Sequence, residues 1–197
     1  MTGIKSTMDL VLERAARMGI ATPDEMQREE NRKKGMQYSA EYLNKQRDSL
    51  PAILDEQNKN EYADIRGGML DALLRNLFLP RDENATQRIE LALQGIIELN
   101  KEKKDVAVLC QELQVALSQY SEHRKQIYEQ LKEQMRMQIE QLVMRQTGMP
   151  VKNMKIDPTM EPRFKEEWAR LEKELDNQYS QAIEQVKSQL KAWAIGD

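Results

Sequence analysis

The chain has 197 residues, with 30 Lys and Arg against 33 Asp and Glu, for a formal net charge of −3. Hydrophobic residues make up 40%, aromatic residues only 5%, and a single Cys excludes an intrachain disulfide framework. This balance exerts no global pull on nucleic acid or acidic lipid, and it suits helices with narrow apolar stripes better than a thick core.

No window approaches the run of about eighteen uncharged apolar residues that a membrane span requires, so none is expected. Lys5, Asp9, Glu13, Arg14 and Arg17 interrupt the opening segment, which argues against a signal peptide and for a cytoplasmic protein.

The first predicted helix is "IKSTMDLVLERAARMG". Ser6 or Thr7 suits its start, Met8, Val11, Leu12, Ala15 and Met18 share a face, and Gly19 suits its end. A second start follows at once. Thr22 fits the cap, Pro23 the first helical position, and Glu25 the third, from which it can bond back to the cap. The helix that follows offers "QREENRKKG", which has no apolar face, and Met36, Tyr38, Tyr42 and Leu43 restore only a weak one. An all-polar helix bridges solvent or is ordered conditionally. Residues 1–60 are therefore expected to form an N-terminal helical arm, partly flexible and loosely held.

Ser49-Leu50-Pro51 restarts the chain, and Ile65, Met69, Leu70, Leu73, Leu74 and Leu77 give the next helix a wide apolar face. Such a helix must be buried against more than one neighbour. Gly67-Gly68 lies within it and marks a bend or close packing. A phosphate loop would need a preceding strand and a Gly-Lys-Ser/Thr sequence, which are absent. Pro80 is expected to end this helix. "RDENATQ" then caps a helix through Ile89, Leu93, Ile96 and Ile97, completing a short helical base over residues 61–100.

From Lys101 to about Gln146 no Pro or Gly occurs. Val106, Cys110, Leu113, Leu117, Tyr120, Ile127, Leu131, Met135, Ile139 and Leu142 step by threes and fours, a coiled-coil-like stripe. A Pro-containing connector, 147–162, leads to a second stripe: Phe164, Trp168, Leu171, Leu175, Tyr179, Ala182, Val186, Leu190 and Trp193. Two adjacent helices of similar length with one narrow face each predict an antiparallel helical hairpin over 101–197. The expected fold is therefore all-α, an elongated coiled-coil-like hairpin packed on a small base of shorter helices.

"MRMQIEQLVMRQTGMPVKNM", residues 135–154, holds five of the twelve methionines. At about 100° per residue, Met135 falls on the stripe with Ile139 and Leu142, whereas Met137 and Met144 fall on the opposite face. The expectation is that a third element, such as the helix around Leu70, covers that pair; otherwise they form an exposed strip. A thioether metal site would need several sulfurs converging on one ion, and this spacing does not supply them.

His123, the sole histidine, sits at the edge of the stripe and is expected to be a partly buried packing residue. Cys110 lies about 20 Å away along the same helix, so the two cannot share an ion within one chain. Cys110 itself reads as a small hydrophobe. Glu29-Glu30 and Glu166-Glu167 are adjacent acids whose side chains diverge by about 100°. No catalytic, cofactor or metal residue is assigned. Arg124, Lys125, Lys132 and Arg136 make a modest basic patch, interspersed with Glu122, Glu129 and Glu133.

The opening "IKSTMDLVLERAARMG", followed by a polar helix and long Met- and Gln-rich helices, resembles uncharacterised bacterial all-helical proteins grouped as domains of unknown function. The resemblance implies a bacterial cytoplasmic origin and no particular activity. Three functions are weighed. The first is a non-enzymatic interaction or scaffold protein, self-associating as a homodimer through Met137 and Met144 and binding an unidentified protein partner. The second is a nucleic-acid-associated accessory protein using the patch at 124–136. The last is an enzyme whose site is assembled from acidic residues of the base.

Overall fold

The computed structural model describes residues 22–148 and 157–195, and every regular element among them is helical. The predicted helix from Met8 to Met18 and the methionines at 149 and 154 lie outside the described residues. Helix α1 spans Pro23–Leu43, α2 Leu50–Asp55, α3 Lys59–Arg75 and α4 Glu83–Glu98. Helices α5, Lys104–Thr147, and α6, Pro162–Ile195, follow, with a 3-10 turn at Pro158–Met160 between them.

Local chemistry sets most of the starts. The Thr22 hydroxyl accepts from the Glu25 amide, and Glu25 accepts from the Thr22 amide at 2.8 Å, the reciprocal box expected from the sequence. Ser49 caps α2, and Asp82 caps α4 by accepting from the Ala85 amide at 2.8 Å. Helix α3 begins at Lys59, with Glu61 in its first turn where the helix dipole favours an anion. Its end comes at Arg75, ahead of Pro80, where the Asn76 side chain donates to the Ala72 carbonyl at 2.8 Å. Gly148, at φ 67°, closes α5 in the left-handed conformation that glycine adopts without steric cost.

The expectation that α1 lacks a packing face is corrected. Its buried residues are Asn31, Gly35, Ser39, Tyr42 and Leu43, a row of mostly small or polar side chains at helical spacing. This row lets two backbones approach. A Cβ added to Gly35 would stand 2.0 Å from the Ile65 carbonyl oxygen, and one on Gly68 would stand 2.1 Å from that of Arg32. Ser39 Oγ donates across the contact to the Met69 carbonyl at 3.0 Å, Asn31 Oδ1 accepts from Gln27 within α1 at 3.2 Å, and Arg32, beside the row, pairs with Asp71. Apolar periodicity does not register such a surface, because its packing comes from the absence of side chains. Gly67, one residue along, has nothing within 4 Å of its missing Cβ.

Against α3 the main core gathers Leu50, Ile53 and Leu54 of α2, Ile89, Leu93 and Ile96 of α4, Val106 to Leu117 of α5, and Ile183 and Leu190 of α6. The base is thus built on both ends of the sequence, and α5 and α6 each lend it their near end. A second, smaller cluster lies farther out, where Leu131, Met135 and Phe164 meet with Tyr128, Trp168 and Leu171 beside them.

Most stripe positions are buried as the spacing predicts, with three corrections on α5 and α6. Leu142 is 56% exposed and Trp193 46% exposed, and Ile183 is buried where Ala182 was assigned. Leu142 is bare because α6 begins only at Pro162, two residues before Phe164, and does not reach the seam beyond Met135. Ile97 of α4, read as part of the apolar face, is also exposed.

Candidate functional site

Helix α5 has 44 residues and α6 has 34. At 1.5 Å per residue they extend about 65 and 50 Å, far beyond what the base can cover. Their contacts run in opposite senses. Lys103, just before α5, donates to the Trp193 carbonyl at 2.9 Å; Tyr120 reaches Asp176, and Arg124 reaches Glu172. Farther out, Tyr128 packs edge-to-face on Trp168 and Phe164, with ring centroids 5.0 and 5.5 Å away.

Between the two apolar clusters lies a polar clamp. Arg81, in the link between α3 and α4, donates to Glu172 Oε1 and Asp176 Oδ2, each at 2.5 Å. Arg124 donates to the same Glu172 oxygen from Nε at 2.9 Å and Nη2 at 2.7 Å, and its guanidinium lies 5.3 Å from the Trp168 ring centre. The buried Tyr120 hydroxyl donates to Asp176 Oδ1 at 2.7 Å. Burial first, and then this bond to a carboxylate, push the Tyr120 phenol up to about 12. Two guanidiniums face two carboxylates, so the charges balance. A slip of α6 by one turn, about 5.4 Å, would break every one of these bonds, so the clamp fixes the register of α6.

The clamp consumes part of the predicted basic patch. Arg124 belongs to it, Arg136 is held by Glu133 at 2.6 Å and Glu140 at 2.7 Å, and Lys132 lies 4.0 Å from Glu129. Lys125 is the one of the four without an ion pair among the described residues. Glu172, forty-eight residues from Arg124, is the partner that local reading missed; an acid on the second stripe's flank was the only available signal.

His123 is exposed rather than partly buried, and it meets Tyr179 edge-to-face at 6.4 Å. Its lateral position, on the outer flank of the seam, leaves it open to solvent. Cys110 is buried in the main core, where desolvation pushes its thiol up to about 12, matching a hydrophobic packing role. Among the described residues no group of three or more His, Cys, Asp or Glu is arranged to hold a metal. No helix there is long and apolar enough to cross a membrane.

Met137 is 48% exposed and Met144 is 57% exposed. The expectation that the helix around Leu70 would cover them is therefore corrected, because α3 packs against α1, α4 and α6. The alternative weighed beside it, an apolar strip left open on the far part of α5, describes them.

Comparison with curated proteins and with solved structures yields no match. A protein-family profile does match, over residues 52–192, which takes in α3 to α5, most of α2 and nearly all of α6. The all-helical chain therefore belongs to DUF6657, a family of unknown function.

Proposed function

We propose that this protein is a non-enzymatic interaction or scaffold protein of the cytoplasm. In this reading α5 and α6 form an antiparallel, coiled-coil-like hairpin over 101–197, the segment 61–100 is its base, and 1–60 is an N-terminal arm. The hairpin presents its outer half to a partner, and the first partner is a second copy of the chain.

The observation that carries the reading is the pair Met137 and Met144, seven residues apart on one face and both about half exposed. Seven residues are two turns, so both side chains point the same way. Long helices gain most of their stability from packing, and an apolar strip on a helix favours burial against another. Methionine suits such a surface because its flexible, polarizable side chain adapts to a partner's shape. Pairing about a twofold axis would set the strip of one copy against that of the other.

Sedimentation equilibrium at tens of micromolar is the test. The expected mass is twice the 23.0 kDa of one chain, falling to a single chain when Met137→Glu and Met144→Glu are combined. A wild-type monomer would refute self-association, and a dimer that survives both substitutions would remove this face from it. The nucleic-acid alternative at Arg124, Lys125, Lys132 and Arg136 predicts salt-dependent retention on heparin. Three of those cations already lie beside carboxylates, so weak retention is expected.

A further inference from the structure

We propose that the cleft between α3 and α6 binds a small, multiply charged anion of the phosphate class. The cleft has a volume of about 360 Å3, inside the range of roughly 300–1,000 Å3 typical of small-molecule sites. Helix α3 presents Asp71, Leu74 and Arg75 to it, and α6 presents Lys187, Ser188 and Lys191 together with Glu184. Residues three and four apart share a helix face, so each helix turns a compact polar group toward the other. Helix α1 contributes Arg32 through its pair with Asp71.

The charge here is opposite to that of the chain. Arg75, Lys187 and Lys191 line the cleft against the carboxylates of Asp71 and Glu184, an excess of one on a chain of net −3, and Arg32 pairs with Asp71 from α1. Several of these cations are also free to be redirected. Arg75 makes no hydrogen bond or ion pair among the described residues. Lys191 Nζ stands 3.8 Å from Asp71 Oδ1, beyond hydrogen-bond reach. Lys187 is held by Glu184 at 2.8 Å, but the Glu184 side chain is 69% exposed and can swing into solvent.

An entering phosphate group would gain the planar fork of Arg75, the ammonium groups of Lys187 and Lys191, and the Ser188 hydroxyl. In exchange it would draw Lys187 from Glu184 and Lys191 from Asp71. Arginine matches phosphate oxygens two at a time, and lysine adds point charge without directional demand. The site is independent of self-association, since Met137 and Met144 lie on the far part of α5.

Calorimetric titration of the full chain with sodium pyrophosphate, and separately with a sugar phosphate monoester, tests this at matched low ionic strength. The two probes distinguish a bare inorganic ion from an ester. Saturable binding of either, one per chain, is expected. Combining Arg75→Gln with Lys191→Gln should weaken it at least about tenfold, as loss of charge-assisted bonds to phosphate implies. Glu184→Gln should strengthen it by releasing Lys187. Arg170→Gln, an exposed residue held by Glu167 and Glu174, should leave it unchanged. Circular dichroism confirms that each variant folds. Absence of saturable binding with both probes overturns the proposal, as does binding indifferent to Arg75→Gln/Lys191→Gln or equally weakened by Arg170→Gln.

Discussion

Adjacent glycines in α3 should respond oppositely to the same substitution. A Cβ at Gly68 would meet the Arg32 carbonyl oxygen at 2.1 Å and its carbonyl carbon at 2.8 Å. A comfortable carbon–oxygen contact is about 3.3–3.6 Å. The obstacle is backbone, which no rotamer change can move aside, so α1 and α3 must part by roughly an ångström at their crossing. A gap of about 0.5–1 Å forfeits a quarter to a half of each contact's attraction, and overpacking costs typically about 1–3 kcal/mol. Alanine returns at most about 1 kcal/mol through its better helix propensity. Gly68→Ala is therefore expected to destabilise by about 1–2 kcal/mol, lowering the melting temperature by roughly 2–8 °C in a chain of this size. Gly67→Ala meets nothing within 4 Å. It should stabilise by about 0.5–1 kcal/mol, because it only relieves the entropic cost of glycine inside a helix. Urea and thermal melts followed by far-UV circular dichroism measure both. Combining Gly35→Ala with Gly68→Ala should cost less than the sum, since either one already separates the helices. Equal stability of Gly68→Ala and wild type, or equal losses for the two neighbours, would refute the reasoning.

Tyr120 and Tyr42 should ionise late, each pushed from the ordinary value of 10 to about 12 chiefly by burial. Because the folded value is raised, their contribution to stability is complete below pH 10 and is lost as pH climbs toward about 12; tyrosinate absorbance rising in one step near pH 10 would contradict this. Leu190→Ala, at a fully buried site, should cost about 2–5 kcal/mol in a urea melt, whereas Leu142→Ala should cost under about 0.5 kcal/mol. Similar costs at these two positions would mean that the seam is covered along the whole of α5. Cys110 should resist thiol reagents in the native protein and react only on unfolding; prompt native labelling would place it outside the core.

The sequence alone was enough to establish that this chain is helical, where several helices begin, and which stripes are apolar. These are local matters. The box at Thr22 and Glu25 and the cap within "RDENATQ" depend on groups a few residues apart, and the stripe from Val106 to Met135 depends on a turn of about 100° per residue. What only the tertiary structure decided are the features that depend on what stands opposite. Gly35 packs and Gly67 does not, although both are glycines in polar surroundings, because the backbone of α3 passes one and solvent faces the other. Arg124 belongs to a clamp rather than to an open basic patch because Glu172 and Trp168 arrive from another helix. Leu142 and Leu190 occupy equivalent stripe positions, yet one is 56% exposed and the other buried, because α6 begins too late to reach the first. Periodicity specifies the direction in which a side chain points. Burial, ion pairing and exposure are set by distances between segments far apart in the chain, and those arise only when the helices pack.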